Sequence, residues 1–153
     1  MQGMELQTSR FGTLTVPDEK VLGFPDGLYG FEESRQFVLV DLGRPDSGFF
    51  WLQSLEDGDL AFVLVNPLLF APDYELDAIE EDLAAVGAST LDHAVVMALV
   101  SVPEDFRLAT ANLQAPLLIN PDRRLGRQII TGNPSHSLKS PVFVAPQTAA
   151  ATR

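Results

Sequence analysis

The chain has no cysteine. That removes disulfides, thiolate nucleophiles and cysteine-ligated metals together. Histidine is nearly as scarce, at two residues, His93 and His136. Bases are few: 10 Lys and Arg stand against 21 Asp and Glu, a net charge of −11. Such a field repels phosphate backbones and attracts basic partners, so direct binding to RNA or DNA is not expected. No apolar run approaches the roughly 18 residues that span a bilayer. Met1-Gln2-Gly3-Met4-Glu5 lacks the basic segment and apolar stretch of a secretory signal. The expectation is a cytoplasmic protein that does not engage a membrane. A Walker loop, a Gly-x-Gly-x-x-Gly turn and EF-hand ligand spacing are also missing, and no cofactor or metal is expected.

What is present is enough apolar material for a core. Hydrophobic residues make up 46% of 153, too many for a disordered chain and about right for one domain. The reading places a single domain over 1–145 and a small, polar, frayed tail over 146–153. The charge is uneven along it. Residues 1–102 hold 18 acids and 4 bases, a net of −14, whereas residues 103–153 hold 3 acids and 6 bases, a net of +3.

The pattern is one of short strands. Met4–Thr8 and Gly12–Val16 alternate apolar and polar residues, and Pro17 stops the second. Val21–Phe24 precedes the turn signal Pro25-Asp26-Gly27. Phe37–Leu42, Phe49–Leu55 and Leu60–Val65 follow, the last two joined by the polar turn Glu56-Asp57-Gly58-Asp59 as a hairpin. Ala94–Val102 is apolar but for Ser101, as a strand buried on both faces is. Arg107–Leu113 alternates until Ala115-Pro116 ends it, and Leu117–Asn120 and Arg127–Thr131 complete the set around Asn120-Pro121-Asp122. One helix interrupts them. From Tyr74 to Val86, Leu76, Ile79, Leu83 and Val86 fall at helical spacing, with Asp73 as its N-cap and Gly87 at C′. The fold expected is mainly β: a small antiparallel barrel-like domain with one main amphipathic helix at about residues 74–86.

Several candidate sites carry a structural reading beside a functional one. His93 stands where an apolar strand begins and is read as a loop-end residue. His136 adjoins Ser135 and Ser137 in a loop. Sequence neighbours rarely supply the aligned base a nucleophile needs, and no nucleophile elbow surrounds these serines. No catalytic residue is assigned. Asp57 and Asp59 are read as part of a solvated hairpin turn rather than a cation site. Arg123, Arg124 and Arg127 are the basic cluster; pairing with the acidic half is preferred over an anionic partner. In Phe49-Phe50-Trp51-Leu52-Gln53, alternation puts Phe50 and Leu52 on one face and Phe49, Trp51 and Gln53 on the other. The second face is either covered or a binding surface.

Taken in order, several segments resemble one family. Gly23-Phe24-Pro25-Asp26-Gly27-Leu28-Tyr29-Gly30-Phe31-Glu32 is similar to its early turn, and Phe50-Trp51-Leu52-Gln53-Ser54 to its most recognisable string. Leu60-Ala61-Phe62, Asn66-Pro67, Pro72-Asp73-Tyr74-Glu75, Asn112-Leu113-Gln114-Ala115-Pro116, Leu118-Ile119-Asn120 and Gly126-Arg127-Gln128 follow in sequence. Over residues 4–143 the chain resembles the flagellar assembly factor family FliW. It departs near the end, with His136 and Lys139 where that family usually has a tyrosine and then an arginine.

The resemblance implies a non-enzymatic regulator, a monomer when free. It implies binding to the translational regulator CsrA, relief of CsrA's repression of flagellin messenger RNA, and binding to flagellin in a partner switch. The partner-binding residues expected are Phe49, Trp51, Gln53, Asp57, Asp59, Asn112, Gln114, Arg123, Arg124 and Arg127. Two alternatives stay open: a flagellin-specific chaperone without the CsrA link, and a small-ligand or flavin-type β-barrel protein.

Overall fold

Segments with period-2 alternation bury one face and turn the other outward, and here they close on themselves. The computed structural model describes residues 3–41, 48–76, 80–131 and 136–143. The expected tail at 146–153, Ser135 and Ile79 lie outside the described residues. The strands are β1 (Gly3–Thr8), β2 (Gly12–Pro17), β3 (Leu22–Gly23), β4 (Gln36–Asp41), β5 (Phe49–Ser54), β6 (Ala61–Val65), β7 (Val95–Ser101), β8 (Thr110–Asn120), β9 (Leu125–Gln128) and β10 (Ser140–Pro141). β8, β7, β6, β5, β4, β3 and β9 lie side by side in that order, and β9 returns to pair with β8. The result is a closed seven-stranded barrel. Its ladders are antiparallel except for one parallel bridge, Gly23 to Leu125. β1 and β2 form a separate antiparallel hairpin, and β10 extends the sheet beside β8.

The barrel is filled by its own side chains. Phe24, Phe37, Leu52, Leu64 and Leu117 are fully buried and meet Leu22, Leu28, Met97 and Ile119. Each contributes about 1.5–3 kcal/mol by leaving water. Phe24 meets Phe37 edge-on at 5.4 Å. Gly126 on β9 faces the Phe24 ring so closely that a Cβ there would lie 2.3 Å from it.

Two lids cover parts of the outer wall. The β1–β2 hairpin lays Leu6, Leu14 and Val16 over Val38, Val40 and Leu55. A short helix, α1 (Glu80–Ala85), helps to pack Leu83 and Val86 over Leu118 and Val96. α1 ends in a Schellman turn: Gly87 N–H reaches the Ala84 carbonyl at 3.0 Å and Ala88 N–H the Leu83 carbonyl at 2.9 Å. Gly87 takes φ +72°, which favours glycine. The Asn120 amide donates to the Val86 carbonyl at 2.9 Å and ties the helix end to β8.

Four expectations need correction. Residues 74–76 are not helical, so the helix does not begin after Asp73; its described part is Glu80–Ala85. Arg107 and Leu108 belong to a 3₁₀ turn, Phe106–Leu108, capped by the Asp105 side chain. β7 is not buried throughout: Met97 and Ala98 are, while Val95 is exposed. Finally, Pro116 does not end a strand. β8 runs through it, because residues 113–116 bulge out opposite Ala98 of β7. The Asn112 carbonyl oxygen of the side chain accepts the Gln114 and Ala115 N–H groups at 2.9 and 3.0 Å. With those donors satisfied locally, proline's missing N–H is not needed there.

Candidate functional site

Outside the barrel, between the hairpin and β10, the wall of β5, β6 and β7 has no lid among the described residues. Phe49 and Trp51 point outward here, as alternation requires, while Phe50 and Leu52 belong to the interior cluster. Trp51, Val63 and Val100 form the floor of a groove of about 450 Å³. One wall is a run of aromatic rings from distant parts of the chain. Phe49 stacks on Phe143 at 5.8 Å, and Phe106 meets Phe143 edge-on at 5.9 Å. The other wall is the hairpin tip, where the Arg10 guanidinium lies 4.8 Å above the Trp51 ring and Phe11 meets it edge-on at 5.9 Å. Val102 and Phe106 are 52% and 61% exposed. A contiguous, aromatic-lined apolar surface of this kind suits a protein partner.

The hairpin tip is held in place from below. Ser9 N–H donates to the Gly58 carbonyl at 3.1 Å, and the Ser9 hydroxyl bonds the Asp59 carboxylate. Asp57 accepts the Asp59 N–H at 2.9 Å. Asp57 and Asp59 therefore organise the β5–β6 turn and anchor the hairpin. Gln53 departs from expectation. It lies on the outward face of β5 but is fully buried. Its amide nitrogen reaches the Ser54 and Leu60 carbonyls at 3.0 and 3.1 Å, and the Asp57 and Gly58 carbonyls at 3.3 Å. Its side-chain oxygen has no partner among the described residues. Gln53 is the hub of the turn, not a surface contact.

The remaining candidates lie elsewhere. Asn112 and Gln114 shape the β8 bulge, and the Gln114 amide donates to the His136 carbonyl at 2.7 Å. Arg127 pairs with Asp82 at 3.4 Å and Glu81 at 3.6 Å on α1, and with Asp26 at 4.0 Å. Arg124, at φ 56°, donates to the Asp18 carbonyl at 2.8 Å. Arg123 is exposed, with its stem beside Gly87. The basic cluster thus serves largely to tie α1 and the early turns to β9.

The histidines sit in structural contacts. His93 lies beside the Ser89 hydroxyl at 3.3 Å, and its ring is solvent-exposed. His136 packs on Tyr74 at 4.7 Å and bonds the Thr131 hydroxyl at 3.2 Å. Burial pushes the Tyr74 phenol up to about 12, and it donates to the Leu113 carbonyl at 2.8 Å. Among the described residues no three acidic or histidine side chains gather as a metal site, and no helix is long and apolar enough to cross a membrane.

Reading the sequence alone puts Phe49 and Trp51 on one face of the strand, leaves open whether that face is covered, and misses Arg10, Phe106 and Phe143. Phe106 carries a signal in hindsight, an aromatic after Pro103 in a polar turn. Arg10 and Phe143 carry none, since only the fold brings them to β5.

Comparison with known proteins agrees with this architecture. The FliW protein family model matches residues 5–142. The flagellar assembly factor FliW of Natranaerobius thermophilus is 40% identical over 141 residues, covering 92% of this chain and 93% of the relative. That of Leptospira interrogans serovar copenhageni is 41% identical over 142 residues, covering 92% and 94%. That of Symbiobacterium thermophilum is 46% identical over 125 residues, covering 82% and 91%. A crystal structure of the flagellar assembly factor FliW superposes with a TM-score of 0.85 at 32% identity, over 92% of this chain and 98% of that one. Sequence model, relatives and barrel coincide over nearly the same residues, and the chain belongs to the FliW family.

Proposed function

We propose that the chain is a non-catalytic, cytoplasmic flagellar assembly factor with two protein partners, flagellin and the translational regulator CsrA. In this reading the aromatic groove takes an apolar segment of flagellin. The acidic surface faces CsrA and antagonises its repression of flagellin messenger RNA. The observation that carries the reading is the groove itself: exposed Phe106 and Phe143 beside half-buried Phe49 and Trp51 on the outer face of a FliW barrel. Supporting it is the charge of residues 1–102, where 18 acids outnumber 4 bases. The cleft lined by Glu32, Glu33, Glu56 and Asp57 belongs to that half. An acidic protein docked beside an RNA-binding surface repels incoming RNA without filling the RNA site. The ligand-binding barrel alternative is weakened by the packed interior, which the fully buried side chains of Phe37, Leu52, Leu64 and Leu117 help to fill.

A native gel shift with CsrA of the same organism and labelled flagellin leader RNA tests the reading. Titration with this protein is expected to release the RNA, and added flagellin to restore the shift. Retention of the RNA throughout, with flagellin still bound, would leave a flagellin chaperone without the CsrA link. Neutralising acids outside the contact surface is expected to keep CsrA binding and weaken RNA displacement, most clearly at low salt.

A further inference from the structure

The groove is apolar, yet its rim carries a cation. Arg10 is one of 4 bases among residues 1–102, against 18 acids. Its guanidinium carbon lies 4.8 Å above the centre of the Trp51 ring. Among the described residues no carboxylate pairs with it; the acids nearest the hairpin tip are already engaged, Asp59 by Ser9 and Asp57 by the Asp59 N–H. The tip that presents Arg10 is stiff. The Thr8 hydroxyl donates to the Gly12 carbonyl at 2.9 Å and accepts the Phe11 N–H at 2.8 Å, Ser9 N–H is tied to Gly58, and Phe11 braces Trp51 from the side. A guanidinium held over an aromatic ring still has N–H donors free to bond elsewhere, since the ring satisfies none of its five donors in the manner of a carboxylate. Trp51 beneath it shields one side from water, which strengthens a charge-assisted bond there.

We propose that this groove selects an amphipathic helix carrying a carboxylate beside its apolar stripe, and that Arg10 is the residue that reads that charge. The proposal rests on the reading of the groove as a protein-docking surface and names the chemistry of what docks. A helix fits better than an added strand. β10, the strand nearest the groove at the sheet margin, is two residues long and contains Pro141, so it offers almost no ladder for strand addition. A helix presents apolar anchors at i, i+3, i+4 and i+7 to the aromatic walls, with the next turn's carboxylate at the rim. The preference runs against the protein's overall charge. With a net −11, nonspecific attraction favours a basic helix, so a preference for an acidic one has to come from a local cation.

The chain's single tryptophan is Trp51, so its emission reports the groove and nothing else. The probes are three synthetic amphipathic helices of about 18 residues, five turns. They are identical except for Glu, Gln or Lys at one position flanking the leucine stripe. Each is titrated into the full-length protein and into Arg10→Ala and Arg10→Lys, with far-UV circular dichroism confirming the fold. The expected order is Glu tighter than Gln and Gln tighter than Lys. The gap between Glu and Gln is roughly 5- to 10-fold, in line with a partly exposed charge-assisted hydrogen bond. The gap collapses in Arg10→Ala while the Gln peptide is nearly unaffected, and part of it survives in Arg10→Lys. The order Lys, Gln, Glu, or a Glu preference that persists in Arg10→Ala, overturns the role of Arg10 and leaves the groove as a docking surface. If neither the peptides nor flagellin move the Trp51 emission, the docking surface itself is wrong and the proposal falls with it.

Discussion

β4 and β6 flank β5 and both turn valines outward, yet they meet different fates. Val38 on β4 is buried under the β1–β2 hairpin together with Leu55, with Val40 half-buried beside them. Val63 on β6, beside Trp51, lines an open groove. The same residue type, in adjacent ladders, is buried in one place and half-buried at a groove in the other. Nothing in strand propensity separates them; what differs is whether a lid lies above. The hairpin covers one side of β5 and stops with Arg10 and Phe11 at the edge of the other. Among the described residues the chain covers this apolar wall on one side and leaves it open on the other, and the open side is where the proposed docking is assigned.

That contrast is sharpened by substitution. Leu52→Ala, inside the barrel, sets the upper limit and is expected to cost about 3–4 kcal/mol through lost burial and a cavity, read as a fall in the urea midpoint at constant slope. Val38→Ala, beneath the hairpin, is expected to cost about 1.5 kcal/mol by the methyl groups removed from a closed site. A smaller effect separates Tyr74 from the rest. Its folded pKa is raised to about 12 from 10.0, so the stability it lends is fully present below pH 10 and is lost as pH climbs toward 12. Urea midpoints measured across that window are expected to fall for the unmodified chain and to fall less for Tyr74→Phe. The smallest change belongs to the open wall: Val63→Ala and Phe106→Ser are expected to move stability by about 0.5 kcal/mol or less while weakening flagellin binding measured by calorimetry. Equal losses for Val38→Ala and Val63→Ala would erase the distinction between covered and open walls.

Much of the barrel was legible because period-2 patterns are local. Gly12–Val16 and Phe49–Ser54 announce both the strand and which side chains share a face. The places that misled are those where a distant group changes a local rule. Pro116 reads as a terminator until Asn112, four residues earlier, supplies the acceptor that lets β8 bulge around it. Gln53 reads as a surface residue because it is polar and outward, but four backbone carbonyls of the following turn converge on its amide. Tyr74 and Leu76 share the helical spacing of α1 without belonging to it; their burial beside Leu113 and Val86 explains their apolar character instead. The site was half visible. Phe49 and Trp51 follow from alternation, whereas Phe106, Phe143 and Arg10 join them only through the closure of the barrel.

The bridge from Gly23 to Leu125 has a consequence for how the protein is made. The last stave of the barrel in chain order, β9, must reach back past five intervening strands to meet β3. Until then the growing polypeptide is an open sheet with two raw margins, at β3 and β8, and closing so long a loop is slow. Until closure the chain therefore exposes the kind of edge that invites pairing with a neighbour. With 18 acids against 4 bases in residues 1–102, two such unclosed chains carry like charge, and like charge opposes edge-to-edge association.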